Sequence, residues 1–218
     1  MRVFRLDRFA LLAVLVAAAG LGLGGAWSRA DNPPAKNTKY PQCILIVRHA
    51  EKTGDKSDVH LSKKGKERAE VLDQLFVVSK DRPNPFPTPD FIFAACEHKD
   101  SQRPVETVTP LAKKLKLTIN DRYDNKLPKE GKEKPKKEGM LALRDELFGS
   151  SKYYGKTILI SWRHSTLPEL ATTLKASKVP EKWDDAVFDR VWEIRYDDAG
   201  KTTFHDWPQR LLPGDSEK

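Results

Sequence analysis

Cysteine and histidine are scarce in this 218-residue chain, with two of the first and five of the second. Cys43 begins one apolar run and Cys96 ends another. If those runs are parallel strands of one sheet, the two thiols lie near opposite edges of it. That separation exceeds the Cα distance a disulfide allows, so two free thiols are expected. No internal repeat is visible. The charge excess is also small: residues 1–30 carry four arginines and one aspartate, so the formal +8 falls to +5 from Asp31 onward. A balance of that size favours anionic ligands slightly and establishes nothing about nucleic acid.

The N-terminus has a sorting pattern. Arg2, Arg5 and Arg8 precede an almost wholly apolar stretch from Phe9 to Gly25, and Ser28 and Ala30 stand at the −3 and −1 positions of a cleavage after Ala30. This reads as a secretory signal, with an uncleaved membrane anchor as the alternative. The run of about 17 apolar residues is at the short limit for a span. No cysteine lies at the processing site, which argues against a lipoprotein, and Arg5 and Arg8 are not adjacent, which argues against a twin-arginine signal. The expected organisation is a signal peptide over 1–30, a polar linker over 31–42 and one domain over 43–218. The protein is then periplasmic or extracellular, without stable membrane insertion once cleaved. The 188 residues after the signal suit one full α/β domain rather than two.

Hydrophobic patterning supplies the elements. Cys43–Val47 is a continuous apolar run suited to a strand covered on both faces. Ser62 is placed to cap a helix in which Ala69, Leu72, Leu75 and Phe76 recur at helical spacing. Four prolines between Pro83 and Pro89 impose an irregular connection to a second strand over 90–95. A helix with an early proline is predicted over 104–115, followed by a short strand over 117–119. Lys126–Lys137 reads as a solvated loop, 140–148 as a helix, Thr157–Trp162 as a strand and 167–176 as a helix. From Phe188 to Tyr196 the residues alternate, with Phe188, Trp192, Ile194 and Tyr196 on one face. Asp197–Gly200 turns the chain into an antiparallel partner over 201–204. That order predicts an α/β fold, a three-layer αβα sandwich with a mostly parallel sheet.

Two of the strands end alike. Cys43-Ile44-Leu45-Ile46-Val47 runs into Arg48-His49, and Thr157-Ile158-Leu159-Ile160-Ser161-Trp162 runs into Arg163-His164. Open α/β sheets place their chemistry at such strand ends. Histidines with arginines around them point to phosphate handled through a histidine nucleophile.

The motifs extend this reading. Leu45-Ile46-Val47-Arg48-His49-Ala50-Glu51-Lys52 resembles the signature of the histidine phosphatase superfamily, the phosphoglycerate-mutase-like fold. Leu61-Ser62-Lys63-Lys64-Gly65 resembles the superfamily's helix start, Arg103-Pro104-Val105-Glu106-Thr107 its second arginine motif, and Ile160-Ser161-Trp162-Arg163-His164 the strand leading to its second histidine. The resemblance implies that His49 is the nucleophile, that Arg48 and Arg103 clamp phosphate, and that His164 donates to a phosphoryl oxygen. It implies no metal and no cofactor. Its substrates are small phosphorylated molecules or phosphoproteins, and no nucleic acid is expected: the lysines of 126–137 alternate with Glu130 and Glu133, which dilutes a basic patch. His98 and Arg163 are further substrate-contact candidates.

Two departures stand out. Alanine follows His49 where glycine is commoner in the superfamily. The proton donor that cleavage of a phosphate monoester needs falls in no matched motif. Glu51 is the first candidate and Asp124 the second, with Asp121, Glu130, Glu133, Glu138, Asp145, Glu146 and the Glu97–Asp100 loop behind them. The expected function is therefore a phosphohydrolase acting on phosphate monoesters or phosphoramidates through a phosphohistidine at His49. The alternative is a non-catalytic phosphate-ligand-binding protein of the bacterial envelope. Glu106 and Thr107 are expected to be structural, and Ser165 or Thr166 to cap the helix that follows.

Overall fold

The computed structural model describes residues 39–55, 57–96, 101–124 and 139–217. The signal peptide, residues 31–38 of the linker, His98 and the Lys126–Lys137 loop lie outside the described residues. Among the described residues no helix is long and apolar enough to cross a membrane.

A six-stranded sheet forms the middle layer. In chain order the strands are β1 (Cys43–Arg48), β2 (Phe91–Ala95), β3 (Ile119–Tyr123), β4 (Thr157–Trp162), β5 (Arg190–Tyr196) and β6 (Thr202–Pro208), and in space they run β3-β2-β4-β1-β5-β6. The first four are mutually parallel, whereas β5 runs antiparallel to β1 and β6 to β5. The helices are α1 (Lys63–Glu70), α2 (Arg103–Leu115), α3 (Met140–Gly149) and α4 (Leu167–Thr173).

Strand alternation divides the core into two layers. Ile44, Ile46, Phe93, Ile158, Ile160, Trp192 and Ile194 face α3 and α4, packing with Leu143, Leu147, Leu167 and Leu170. Cys43, Leu45, Val47, Ile92 and Leu159 face the other way, onto Val108 and Leu111 of α2 and Leu72, Leu75 and Phe76. Every residue of β1 and of β4 is buried, so both sequences had to be apolar on both faces. The αβα sandwich with a mostly parallel sheet is present as expected.

The boundaries differ in instructive ways. α1 stops at Glu70, and Leu72–Phe76 continues as a 3₁₀ turn that carries the apolar stripe onward. The third strand lies over Ile119–Tyr123 instead of 117–119, because Ile119 and Asn120 take the ladder beside Ile92 and Phe93. Ser62 caps α1 as predicted, its hydroxyl accepting from the Gly65 amide at 3.1 Å. Thr166 does not cap α4 through its side chain. Its hydroxyl accepts from the Trp162 indole at 3.1 Å, and the first turn after β4 is a 3₁₀ turn over His164–Thr166. Cys43 and Cys96 are buried thiols not joined in a disulfide.

Candidate active site

Strand order explains why two distant Arg-His pairs meet. β1 and β4 are neighbours in parallel register, with Arg48 opposite Trp162, and the His49 amide donates to the Trp162 carbonyl at 2.9 Å. Both chains leave the sheet at the same edge and the same level. The rings of His49 and His164 come to 6.5 Å between centroids. Arg103, at the first residue of α2, is close enough for its charge to act on both Arg48 and His49.

His49 is buried and its surroundings define its chemistry. Its Nδ1 lies 2.8 Å from the Ala50 carbonyl oxygen. A carbonyl only accepts, so Nδ1 carries the proton and Nε2 keeps a lone pair. Burial, followed by the charges of Arg48, Arg103 and His164, pushes its pKa down to about 3 against the opposing Ala50 bond. The ring is therefore neutral across the physiological range.

Arg48 is 1% exposed, yet among the described residues no carboxylate side chain hydrogen-bonds it. Nη1 donates to three backbone carbonyls, of Asp184 at 3.1 Å, Asp185 at 2.8 Å and Val187 at 2.8 Å. Nε and Nη2 are buried and have no hydrogen-bond partner. The guanidinium lies 3.8 Å over the Phe188 ring, which also stands 6.1 Å from the His49 ring. Burial pushes the Arg48 pKa down to about 10, so the group stays charged near neutrality.

His164 is half-buried. Its Nε2 lies 2.9 Å from Asp185 Oδ1, and its Nδ1 is buried without a partner. Burial and then the Arg48 charge lower its pKa, Asp185 opposes, and Lys52 and Lys182 add to the lowering. Arg163 takes a different place from its mirror Arg48. It donates to the Cys96 carbonyl at 3.3 Å at the end of β2 and acts electrostatically on Arg103.

The loop after His49 is fastened at several points. The Ala50 amide donates to the Thr107 hydroxyl at 2.9 Å, and that hydroxyl donates to the Arg103 carbonyl at 2.8 Å. Glu106 accepts from the Leu61 amide at 2.8 Å and pairs with His60. Arg103 Nη1 donates to the Asp58 carbonyl at 2.6 Å. Glu106 and Thr107 are thus structural, and His60 belongs to the same clasp. Gly65 also has a physical reason: a Cβ there would sit 2.3 Å from the Glu51 carbonyl oxygen, where the start of α1 docks on the loop.

Glu51 departs from expectation. Its carboxylate accepts from Arg68 Nε at 3.1 and 3.0 Å and from Arg68 Nη2 at 2.7 Å. Arg68 in turn binds Asp215 through both terminal nitrogens at 2.7 Å and Gln209 at 3.1 Å. With both oxygens held by a buried guanidinium, Glu51 is a structural counter-ion and not a free proton donor. Glu146 is also committed, to Tyr123, Tyr153 and Lys152; burial opposes, but these bonds bring its pKa down to about 2. Asp145 pairs with Arg144, Asp121 is exposed on β3, and Asp124 has one oxygen buried without a partner. His98, Glu130, Glu133, Glu138 and the Glu97–Asp100 loop lie outside the described residues.

The 183–188 segment was missed by sequence reasoning, apart from Phe188, which was assigned to a core face and instead lies against Arg48 and His49. One signal was available. An antiparallel strand beside β1 must begin at the edge where β1 ends, and Val47 does pair with Val191. The acidic pair Asp184-Asp185 just before that strand was therefore due to arrive at the histidines.

No protein-family model matches the sequence, and no curated protein matches it. Solved structures similar to this chain include a phosphoglycerate mutase from Plasmodium falciparum, at 15% identity and a TM-score of 0.48, covering 82% of this chain and 98% of that one. The protein histidine phosphatase SixA in complex with tungstate is similar at 13% identity and a TM-score of 0.45, covering 77% and 97%. A mycobacterial glucosyl-3-phosphoglycerate phosphatase with inorganic phosphate is similar at 13% identity and a TM-score of 0.48, also covering 77% and 97%. At these identities the likeness concerns the fold.

Proposed function

We propose that this chain is a phosphohydrolase of the histidine phosphatase superfamily, forming a phosphohistidine on His49. The carrying observation is Arg48: a buried guanidinium with Nε and Nη2 unpartnered, beside a neutral imidazole whose Nε2 holds a lone pair. A guanidinium fork matches phosphate oxygens, and its strength rises away from water. Arg48 and Arg103 hold the phosphoryl group, and the unpartnered Nδ1 of His164 contributes a further donor once protonated. His49 Nε2 attacks phosphorus, the bond to the leaving atom breaks, and water then displaces the histidine. The substrate is a small phosphorylated molecule or a phosphoprotein, cleaved as a phosphate monoester or a phosphoramidate. The basic, apolar first thirty residues extend the proposal to an exported enzyme.

The commitment of Glu51 to Arg68 favours a second reading, a protein that binds phosphorylated ligands without turnover. One experiment separates the two. The protein and its His49→Ala variant are incubated with an aryl phosphate over about pH 5 to 8. The phosphohydrolase releases phosphate, and the variant loses roughly 10³-fold or more of that rate. Absence of turnover on the aryl phosphate and on a phosphoramidate, with inorganic phosphate still bound, establishes the binding protein.

A further inference from the structure

Granted the phosphohydrolase proposed above, its chemistry needs a proton for the leaving oxygen, and none of the described carboxylates singled out in the sequence is bonded to His49 or His164. Asp185 is the one described carboxylate within bonding distance of either histidine, at 2.9 Å from His164 Nε2. We propose that Asp185 is the proton donor to the leaving group. This inference rests on the phosphohydrolase reading and names the acid that reading lacks.

Its position is built, not incidental. The Asp184 carboxylate is used up inside the loop, accepting from the Ala186 amide at 2.8 Å, and the Val187 amide closes the turn on the Asp184 carbonyl at 3.1 Å. Trp183 donates its indole N–H to the Val187 carbonyl at 2.8 Å. Arg48 grips the same turn through three carbonyls, the Asp185 carbonyl among them. The backbone of Asp185 is therefore fixed by the residue that clamps phosphate, and its side chain is left at the rim. That side chain is 67% exposed, against 12% for Glu51. In an in-line displacement the leaving group departs on the side opposite His49 Nε2, and the proposal puts the exposed Asp185 carboxyl on that side.

The protons balance as follows. In the complex His164 carries its ring proton on Nδ1, and Asp185 carries the proton to be transferred, directed at first to His164 Nε2. His49 Nε2 donates its electron pair to phosphorus as the P–O bond to the leaving group breaks. The electrons of that bond pass to the ester oxygen, which takes the proton from Asp185. In the second step Asp185 accepts a proton from the water whose oxygen attacks phosphorus, the P–N bond returns its electrons to Nε2, and phosphate leaves.

A leaving group that departs readily as an anion needs no proton, whereas an alkoxide does. The test compares wild type with Asp185→Asn and Asp185→Glu on 4-nitrophenyl phosphate and on glycerol phosphate, reading kcat/KM and the melting temperature. Asp185→Asn is expected to stay within about threefold on the nitrophenyl ester and to fall roughly 10²- to 10³-fold on glycerol phosphate, with Asp185→Glu recovering part of the loss. Equal losses on both esters, or no loss on glycerol phosphate, overturn the assignment. A lowered melting temperature in both variants with parallel losses marks Asp185 as a loop-holding residue only. A wild type inactive on both esters and on a phosphoramidate overturns the phosphohydrolase reading itself, and the assignment falls with it.

Discussion

Arg48 and Arg68 are both buried, at 1% and 2% exposure, and the charge of Glu51 acts on both. Their surroundings are opposite. Arg68 is met by two carboxylates and an amide, with Glu51, Asp215 and Gln209 taking Nε and both terminal nitrogens. Arg48 spends one nitrogen on three backbone carbonyls and keeps two without partners. A buried cation that is neutralised and saturated holds structure together. A buried cation with no carboxylate bonded to it and two nitrogens unsaturated is poised for an anion that arrives later. The same contrast separates the two carboxylates near the histidines: Glu51 is consumed by Arg68, and Asp185 remains at the rim beside His164.

The contrast is open to direct attack, first through Arg68. Arg68→Met leaves Glu51 and Asp215 without their cation, and its expected cost is about 3–5 kcal/mol in urea unfolding. Inorganic phosphate binding by the folded fraction should be unchanged. Lost phosphate affinity at full stability would reverse the roles of the two arginines.

Arg48→Lys keeps the charge and removes the planar fork. It should lower kcat/KM roughly 10²-fold while shifting stability far less than Arg68→Met does. A rate within threefold of wild type would mean that the unpartnered nitrogens do not meet phosphate.

A third effect is a slope, small at each pH step. In the folded chain the His49 pKa is pushed down to about 3 from the ordinary imidazole value of about 6.5. Between those values the unfolded chain binds a proton at His49 and the folded chain does not. Stability contributed by the neutral ring is therefore complete above about pH 6.5 and lost as pH falls, at about 1.4 kcal/mol per pH unit. His164, also lowered, adds in the same direction. His49→Ala should flatten this slope; an unchanged profile from pH 6.5 to 4 would place the titration elsewhere.

Much of this site was legible because local chemistry wrote it. Apolar runs ending in Arg48-His49 and Arg163-His164 could hardly be other than buried strands delivering charge at their ends, and Arg103 opens α2 where its motif placed it. Ser62 and Gly65 were legible as a helix start; the steric reason for Gly65, contact with the Glu51 carbonyl, was not. Arg68 gave no signal at all. It reads as an ordinary surface residue of a charged helix, and only the return of the chain to Gln209 and Asp215 buries it.

Patterning along the chain thus decided the layers, the buried strands and the identity of the arginines and histidines at their ends, because burial and periodicity act over a few residues. Which carboxylate serves which cation was decided only in three dimensions. Glu51 is two residues from His49 and is held by Arg68; Asp185 is 136 residues away and touches His164. Ion pairs form between groups that share a volume, and the antiparallel arrival of β5 beside β1, not distance along the sequence, set that volume.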